Sequence, residues 1–460
     1  MTKNSLHTFI GRFIIFLFLY LPFEQFVLKF IPSSENLYIF LYMLSEIVIY
    51  IIFIIVVGGH VFFKGVWLKT KLDVLILFFL LVTFFSIIIN NADFVSSIKN
   101  IRGLLRYVAL YYLLIYVDLN EKFYSNLFKC AIFLLFVQFI ISIMQFSIGE
   151  NFMAFFYPRE LDVEVFGQSL ISKDLTNERE NAVLGTLGQP GALSAFIIIL
   201  ACFMWSKLIM ESQKSKSYTT YLFVFMTLVI CYMTFKRLAL ILVILMPIIV
   251  LWHHDYRKFL KLFSISSIPI FILLIGFFYY ITSIDVVNDY ASRQGSFSFI
   301  SLFAELFSAD YWAHSLEVSR LWFFVEAFSA VFGSLKFFGF GPDEQLALQY
   351  FVESGHNRYQ VLGYIAYKDV YWMALALYFG ILGLATFWWI IWRVWKSGVM
   401  ILYSNKLKDE YRFGVLVFTV YTFSFFWYSF AERLPILRPN AFFFWLGAAL
   451  IMKLGQKAVL

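Results

Sequence analysis

Residues 372–392 read WMALALYFGILGLATFWWIIW, twenty-one positions in a row without a charged side chain. An uninterrupted apolar run of about 17 to 25 residues is what a helix needs to cross the hydrocarbon of a bilayer. The run has no period-2 alternation, so it does not read as a barrel strand. Outward from it the pattern recurs. Apolar runs fall near residues 6–21, 36–57, 72–90, 98–117, 125–147, 190–208, 218–234, 238–252, 262–281, 413–430 and 440–455, and the quoted one covers 371–392. These predict about twelve transmembrane helices, because lipid offers the backbone no hydrogen-bond partner and each segment must close its own. Composition points the same way: the 460 residues are 62% hydrophobic and 14% charged, with a mean hydropathy of +0.80. A soluble domain carries about 25% charged residues. The expected fold class is all-α, a polytopic membrane helix bundle. Residues 1–460 are expected to form one membrane domain, with no internal repeat, low-complexity tract or soluble second domain.

Orientation follows from the cations of the connections. With the N-terminus inside, the cytoplasmic segments hold 20 Lys and Arg against 7 acids, so the net charge of +7 divides into +13 inside and −6 outside. Both termini are then cytoplasmic. The first run follows Lys3 without a small-residue cleavage site and reads as a span, not a removable signal. Cys130, Cys202 and Cys231 all fall in or beside apolar runs, are odd in number and lack metal-ligand spacing, which argues against a disulfide framework or a zinc site. The basic excess is used by topology, so nucleic acid is not an expected partner. Two connections are long and lie outside: residues 148–189, and residues 282–370 between the ninth and tenth spans. In the second, Leu321, Phe324, Val325, Phe328 and Phe332 recur at helical spacing and predict a helix lying along the membrane or roofing the bundle.

Cations on the outer side are the informative ones, because topology alone disfavours them. Arg102 and Arg106 sit about one turn apart near the outer end of the fourth run, so one helical face presents both. Arg179 precedes the sixth run, Lys236 and Arg237 form a hairpin tip too short to leave the membrane surface, and Arg320, His356 and Arg358 belong to the large loop. Any one of the arginines alone reads equally well as a residue snorkelling to lipid phosphate, and Arg159 and Arg293 read as solvated loop charges. His356 alone reads equally well as a surface or capped loop histidine. As a group they are harder to dismiss. Guanidinium forks bind phosphate oxygens in pairs, and several at a lipid–water boundary suit a diphosphate whose tail stays in the bilayer.

Four segments also carry a resemblance. RENAVLGTLGQPGALSAF (179–196), TFKRLALILVIL (234–245), SRLWFFVEAFSAVFGSLKFFGFGPDEQ (319–345) and HNRYQVLGYIAYKDVYWMALALYFGILGLATF (356–387) resemble, in order, motifs of the O-antigen ligase and polymerase superfamily of bacterial membrane glycosyltransferases. LPFEQFVLKFIP (21–32) is similar to the N-terminal region of its polymerase members. The chain departs from the family pattern at Lys236, where many members have Ser, and at YKDVYW before the last large-loop span. The resemblance implies a GT-C-like bundle in the bacterial inner membrane. It implies an inverting transfer from an undecaprenyl-diphosphate-linked glycan on the periplasmic side, without metal or cofactor. Neither long loop contains an Asp-x-Asp metal motif.

On that reading Arg237, Arg179 and Arg320 hold the diphosphate, with Lys236, Arg102 and Arg106 as further substrate contacts. His356 takes the proton of the attacking hydroxyl, and Arg358 meets a phosphate or sugar. The expected activity is polymerisation of lipid-linked repeat units, with a chain-length regulator as a possible partner. The alternatives are ligation of finished glycan to lipid A-core and, from another class, a non-enzymatic flippase of lipid-linked sugars. A flippase would keep its charges near the bilayer midplane.

Overall fold

A computed structural model describes residues 3–31, 35–157, 164–165, 168–169, 182–211, 218–260, 320–343, 346, 349, 370–404 and 407–459. These are helical apart from connecting turns and a two-residue antiparallel pairing of β1 (Glu164–Val165) with β2 (Gln168–Ser169). Among them six helical stretches are long and apolar enough to cross a membrane: Ser5–Leu28, Phe40–Lys64, Glu121–Ile148, Pro190–Met210, Arg237–His254 and Tyr371–Tyr403. Asp73–Ile89 and Tyr218–Met233 are shorter apolar helices.

In chain order the elements are α1 (Lys3–Tyr20), α2 (Glu24–Leu28), α3 (Glu35–Phe53), α4 (Gly59–Lys64), α5 (Asp73–Ile89), α6 (Phe94–Leu105), α7 (Val108–Tyr116), α8 (Glu121–Ile148), α9 (Glu150–Met153), α10 (Pro190–Met210), α11 (Tyr218–Met233), α12 (Arg237–His254), α13 (Arg320–Gly333), α14 (Tyr371–Tyr403), α15 (Asp409–Tyr428) and α16 (Arg438–Val459). The apolar run at 98–117 is therefore two helices, α6 and α7, parted at Arg106 and Tyr107. The expected run at 262–281 and most of the loop at 282–370 lie outside the described residues. Of the helix expected in that loop, α13 is described over Arg320–Gly333.

The core is centred on α10, whose residues from Gly191 to Met204 are all buried and which packs against α11, α12, α15 and α16. A helix apolar on every side belongs inside a bundle. By contrast α5 turns Ile76, Phe79, Val82, Thr83 and Ser86 inward and leaves Val74, Leu77, Phe78, Leu81, Phe84 and Ile88 exposed among the described residues.

The quoted run departs from a simple span in one respect. Gly380 has φ +68° and breaks α14, freeing backbone groups that must be paired elsewhere. The turn from Lys336 to Gly341 pairs them. Phe340 N–H donates to the Leu377 carbonyl at 2.7 Å, and Leu382 N–H to the Phe337 carbonyl at 3.1 Å. The Ser86 hydroxyl on α5 lies 2.6 and 2.7 Å from the carbonyl oxygens of Phe338 and Tyr378. The approach requires glycine on both sides: a Cβ at Gly380 would lie 2.3 Å from Gly339 N, and one at Gly339 would lie 2.5 Å from the Leu377 carbonyl oxygen. The Asn100 amide on α6 donates to the Pro342 carbonyl at 2.7 Å, which ties this turn to the helix that carries Arg102.

Candidate functional site

The bundle has two chemically different ends. At one, Lys453 near the C-terminus of α16 pairs with Asp118 at 3.2 Å and Lys408 with Glu121 at 2.6 Å. Arg438 begins α16 fifteen residues before Lys453, which at 1.5 Å per residue places it about 22 Å away, toward the opposite end. The N-termini of α10 and α12 lie at that end too: Ser194 bonds Tyr428 at 2.6 Å, the Asn440 amide donates to the Ala195 carbonyl at 3.0 Å, and Val183 N–H donates to the Met233 carbonyl at 3.1 Å. Helix N-termini carry partial positive charge, so this end favours anions before any side chain is counted.

Five ionisable side chains gather there, Glu24, Glu46, Arg106 and Arg438 buried and Arg102 half-buried. Arg102 Nη2 lies 2.7 Å from Glu46 Oε2, and Arg106 Nε 3.0 Å from Glu46 Oε1. Arg438 Nη1 lies 2.6 Å from Glu24 Oε2, and its Nη2 3.2 Å from Glu46 Oε1. The Arg438 guanidinium also stacks on the Tyr42 ring, 3.2 Å from its centroid. α2, α3, α6 and α16 each supply a member, so the cluster also joins these elements. Buried charges persist only when paired, and removal of one partner from such a pair costs about 3–5 kcal/mol.

A second polar group adjoins it. Lys236 Nζ, at the tip between α11 and α12, lies 2.8 Å from Glu432 Oε1. Glu432 sits against the first turn of α10, so close that a Cβ at Gly191 would be 2.5 Å from its Oε1. Arg237 follows as the first residue of α12 and is half-buried. Beside this pair the backbone of residues 184–186 is held by two glutamines of α8. Gln145 Oε1 accepts from Leu184 and Gly185 N–H at 2.9 Å each, Gln138 Oε1 accepts from Thr186 N–H at 3.1 Å, and the Thr186 hydroxyl donates to the Pro22 carbonyl at 2.8 Å. Two residues beyond Pro22 is Glu24.

Of the residues singled out from sequence, the structure brings Arg102 and Arg106 together on one carboxylate and sets Lys236 and Arg237 at the same end. Arg320 begins α13, a placement of its backbone alone. Arg179, His356 and Arg358 lie outside the described residues. Sequence reasoning passed over Glu46, Gln138 and Gln145, although polar residues inside apolar runs are themselves a signal. It also passed over Arg438 and Glu432, in the short connection AERLPILRP. The arrangement can hold an anion: several cations and three helix N-termini at one end, with carboxylates that keep the arginines charged and oriented. In comparisons with known proteins, no family model matches the chain and no curated protein matches it.

Proposed function

We propose that the protein is a membrane glycosyltransferase that joins undecaprenyl-diphosphate-linked repeat units into a surface polysaccharide at the periplasmic face of the bacterial inner membrane. The reading rests on the resemblance of the four ordered motifs and on one structural observation: arginines and a lysine, buried or half-buried, gather at one end of an apolar helix bundle. An anionic head whose polyprenyl tail stays in lipid is the ligand such an end suits. In this reading the bundle has about twelve spans, both termini are cytoplasmic, and residues 148–189 and 282–370 are periplasmic.

Arg237, Arg179 and Arg320 hold the donor diphosphate, with Lys236, Arg102 and Arg106 adding positive potential. The hydroxyl oxygen of the acceptor sugar bonds to the anomeric carbon of the donor as the bond from that carbon to the diphosphate oxygen breaks. The electron pair leaves on undecaprenyl diphosphate, whose growing charge the guanidiniums stabilise. The hydroxyl proton passes to neutral His356. No step uses a metal.

A flippase would place its ionisable groups where both sides reach them, near the midplane. The cluster at one end favours the enzyme. The test is purified protein with the lipid-diphosphate repeat unit alone, products sized on a gel. A ladder supports polymerisation. Transfer only after addition of lipid A-core would make the protein a ligase, and no transfer with either acceptor would sink the enzymatic reading.

A further inference from the structure

Lysines at the Lys453 end of the bundle divide by what they face. Lys207, Lys258, Lys408 and Lys453 each lie beside a carboxylate, of Glu211, Asp255, Glu121 and Asp118. Lys64, Lys69 and Lys71 are exposed and have no acid partner among the described residues. The acid closest to them in sequence, Asp73, is already engaged. It accepts from Thr70 N–H at 2.9 Å, from the Trp67 indole and the Tyr112 hydroxyl at 3.2 Å each, and from the Thr70 hydroxyl. The backbone that carries the lysines is held from two further sides. Leu68 N–H donates to the Tyr116 hydroxyl of α7 at 2.9 Å, and the Gln456 amide of α16 donates to the Lys69 carbonyl at 2.8 Å. Such a surface is preorganised, so a ligand that binds it orders little backbone. Immediately before the lysines, α4 closes the apolar stretch Phe40–Lys64 with Phe62 and Phe63, whose side chains are 83% and 84% exposed. Gly65, at φ +65°, then ends the helix and turns the chain. Aromatic side chains at the end of a span are buried by the boundary between acyl chains and headgroups.

We propose that residues 62–71 form a docking surface for anionic phospholipid, with Lys64, Lys69 and Lys71 meeting the headgroup phosphates and Phe62 and Phe63 set among the acyl chains beside them. Charge selects the lipid class. Three ammoniums without carboxylates leave a local positive field, and each lysine near an anionic bilayer surface strengthens binding by about five-fold. A zwitterionic headgroup brings no net charge to that field. Position selects lipid over a protein partner: the segment continues directly from a stretch apolar enough to cross the membrane, so headgroups are already within its reach. The surface lies at the end opposite the arginine cluster and the α11–α12 tip, and the proposal stands whether or not the protein transfers glycans. Only the identity of the leaflet depends on the orientation of the bundle.

The test is native mass spectrometry of the full chain in detergent, titrated with phosphatidylglycerol and with phosphatidylcholine of the same acyl chains. Wild type is expected to retain phosphatidylglycerol about ten-fold more tightly or better. The triple variant Lys64→Gln, Lys69→Gln, Lys71→Gln is expected to lose that preference, and the corresponding triple change to Arg to keep it. All three side chains are exposed, so the Gln triple is expected to melt as wild type does, which separates lost binding from lost folding. Lys258→Gln combined with Lys408→Gln removes two lysines of the same end that already face carboxylates, and is expected to leave the preference unchanged. Phe62→Ser with Phe63→Ser is expected to weaken both lipids alike. Equal retention of the two lipids by wild type overturns the proposal and leaves the surface to an acidic protein partner. An unchanged preference in the Gln triple overturns it too, as does an equal loss in the Lys258 and Lys408 variant, which would make the attraction a property of the whole end. Unchanged retention of both lipids after loss of Phe62 and Phe63 would overturn the insertion of the aromatic pair.

Discussion

Arg237 separates two physical roles that a positive charge at a membrane surface can have. It begins α12 at the anion-favouring end, next to Lys236, whose ammonium is engaged by Glu432 at 2.8 Å. If Arg237 served only to reach lipid headgroups, Arg237→Lys would be nearly silent, because an ammonium snorkels as well as a guanidinium. As a diphosphate ligand it acts through its planar fork, so Lys keeps the charge and loses the paired geometry. Polymerisation by Arg237→Lys is expected to fall steeply at unchanged expression. Arg237→Ala is expected to fall further, by about 10²-fold to 10³-fold, as for loss of one preorganised donor. A fully active Lys variant would remove Arg237 from the site. Individual residues were unevenly legible in the sequence. Arg102, Arg106, Lys236 and Arg237 stand out because the expected topology disfavours cations on the outer side, and the same rule applied to AERLPILRP selects Arg438. Glu46 escaped because one acid barely alters the hydropathy of LYMLSEIVIYIIF (41–53), and its importance lies in partners from α6 and α16, 56 and 392 positions away.

Elements show the same division between local and distant causes. The apolar run at 371–392 announced a helix, but a glycine in such a run is common, and the break at Gly380 depends on a turn some 40 residues earlier in the chain. Likewise the 98–117 run looked continuous, while its two arginines turn inward to Glu46 at the point where α6 ends. Gly380→Ala tests the first. An added methyl meets φ +68° and the Gly339 nitrogen together, so the variant is expected to lose folded protein, measured as the monodisperse peak in detergent chromatography. Normal yield would mean that α14 can run straight through position 380. α6 carries a pH-dependent element at its other end. Asp93 caps it, accepting from Ser96 N–H at 2.7 Å, and the hydrogen bonds from Ser96 hold its carboxyl below the usual aspartate range. A depressed folded value means the cap contributes above the unfolded aspartate pKa and is lost as pH falls through the folded one. Asp93→Asn keeps a capping oxygen that does not titrate. Its thermal melting is expected to depend slightly less on pH in the acid range than that of wild type, and identical profiles would remove the cap as a cause.

At the scale of the whole molecule, the cations sort by end and by exposure, and that sorting gives the bundle its direction. At the Lys453 end Lys408 and Lys258 stand in solvent, their side chains 71% and 75% exposed, while Lys453 itself is 13% exposed beside Asp118. At the opposite end Arg106 and Arg438 are buried against carboxylates, and Lys29 lies over the Phe30 and Phe155 rings. Lys and Arg in short connections are retained on the cytoplasmic side, and the solvated lysines of this end are of that kind. The Lys453 end is therefore expected to be cytoplasmic. The assignment is open to a direct check, because the native thiols make a quiet background: Cys202 and Cys231 are buried and Cys130 is half-buried within α8. Glu150→Cys would place an exposed thiol at the arginine end and Lys71→Cys one at the lysine end. With an impermeant maleimide in cells whose outer membrane has been permeabilised, Glu150→Cys is expected to label at once and Lys71→Cys only after the inner membrane is broken. The reverse pattern would put the arginine cluster in the cytoplasm, where a periplasmic transfer between lipid-linked glycans has no substrate, and the proposed function would fall with the orientation.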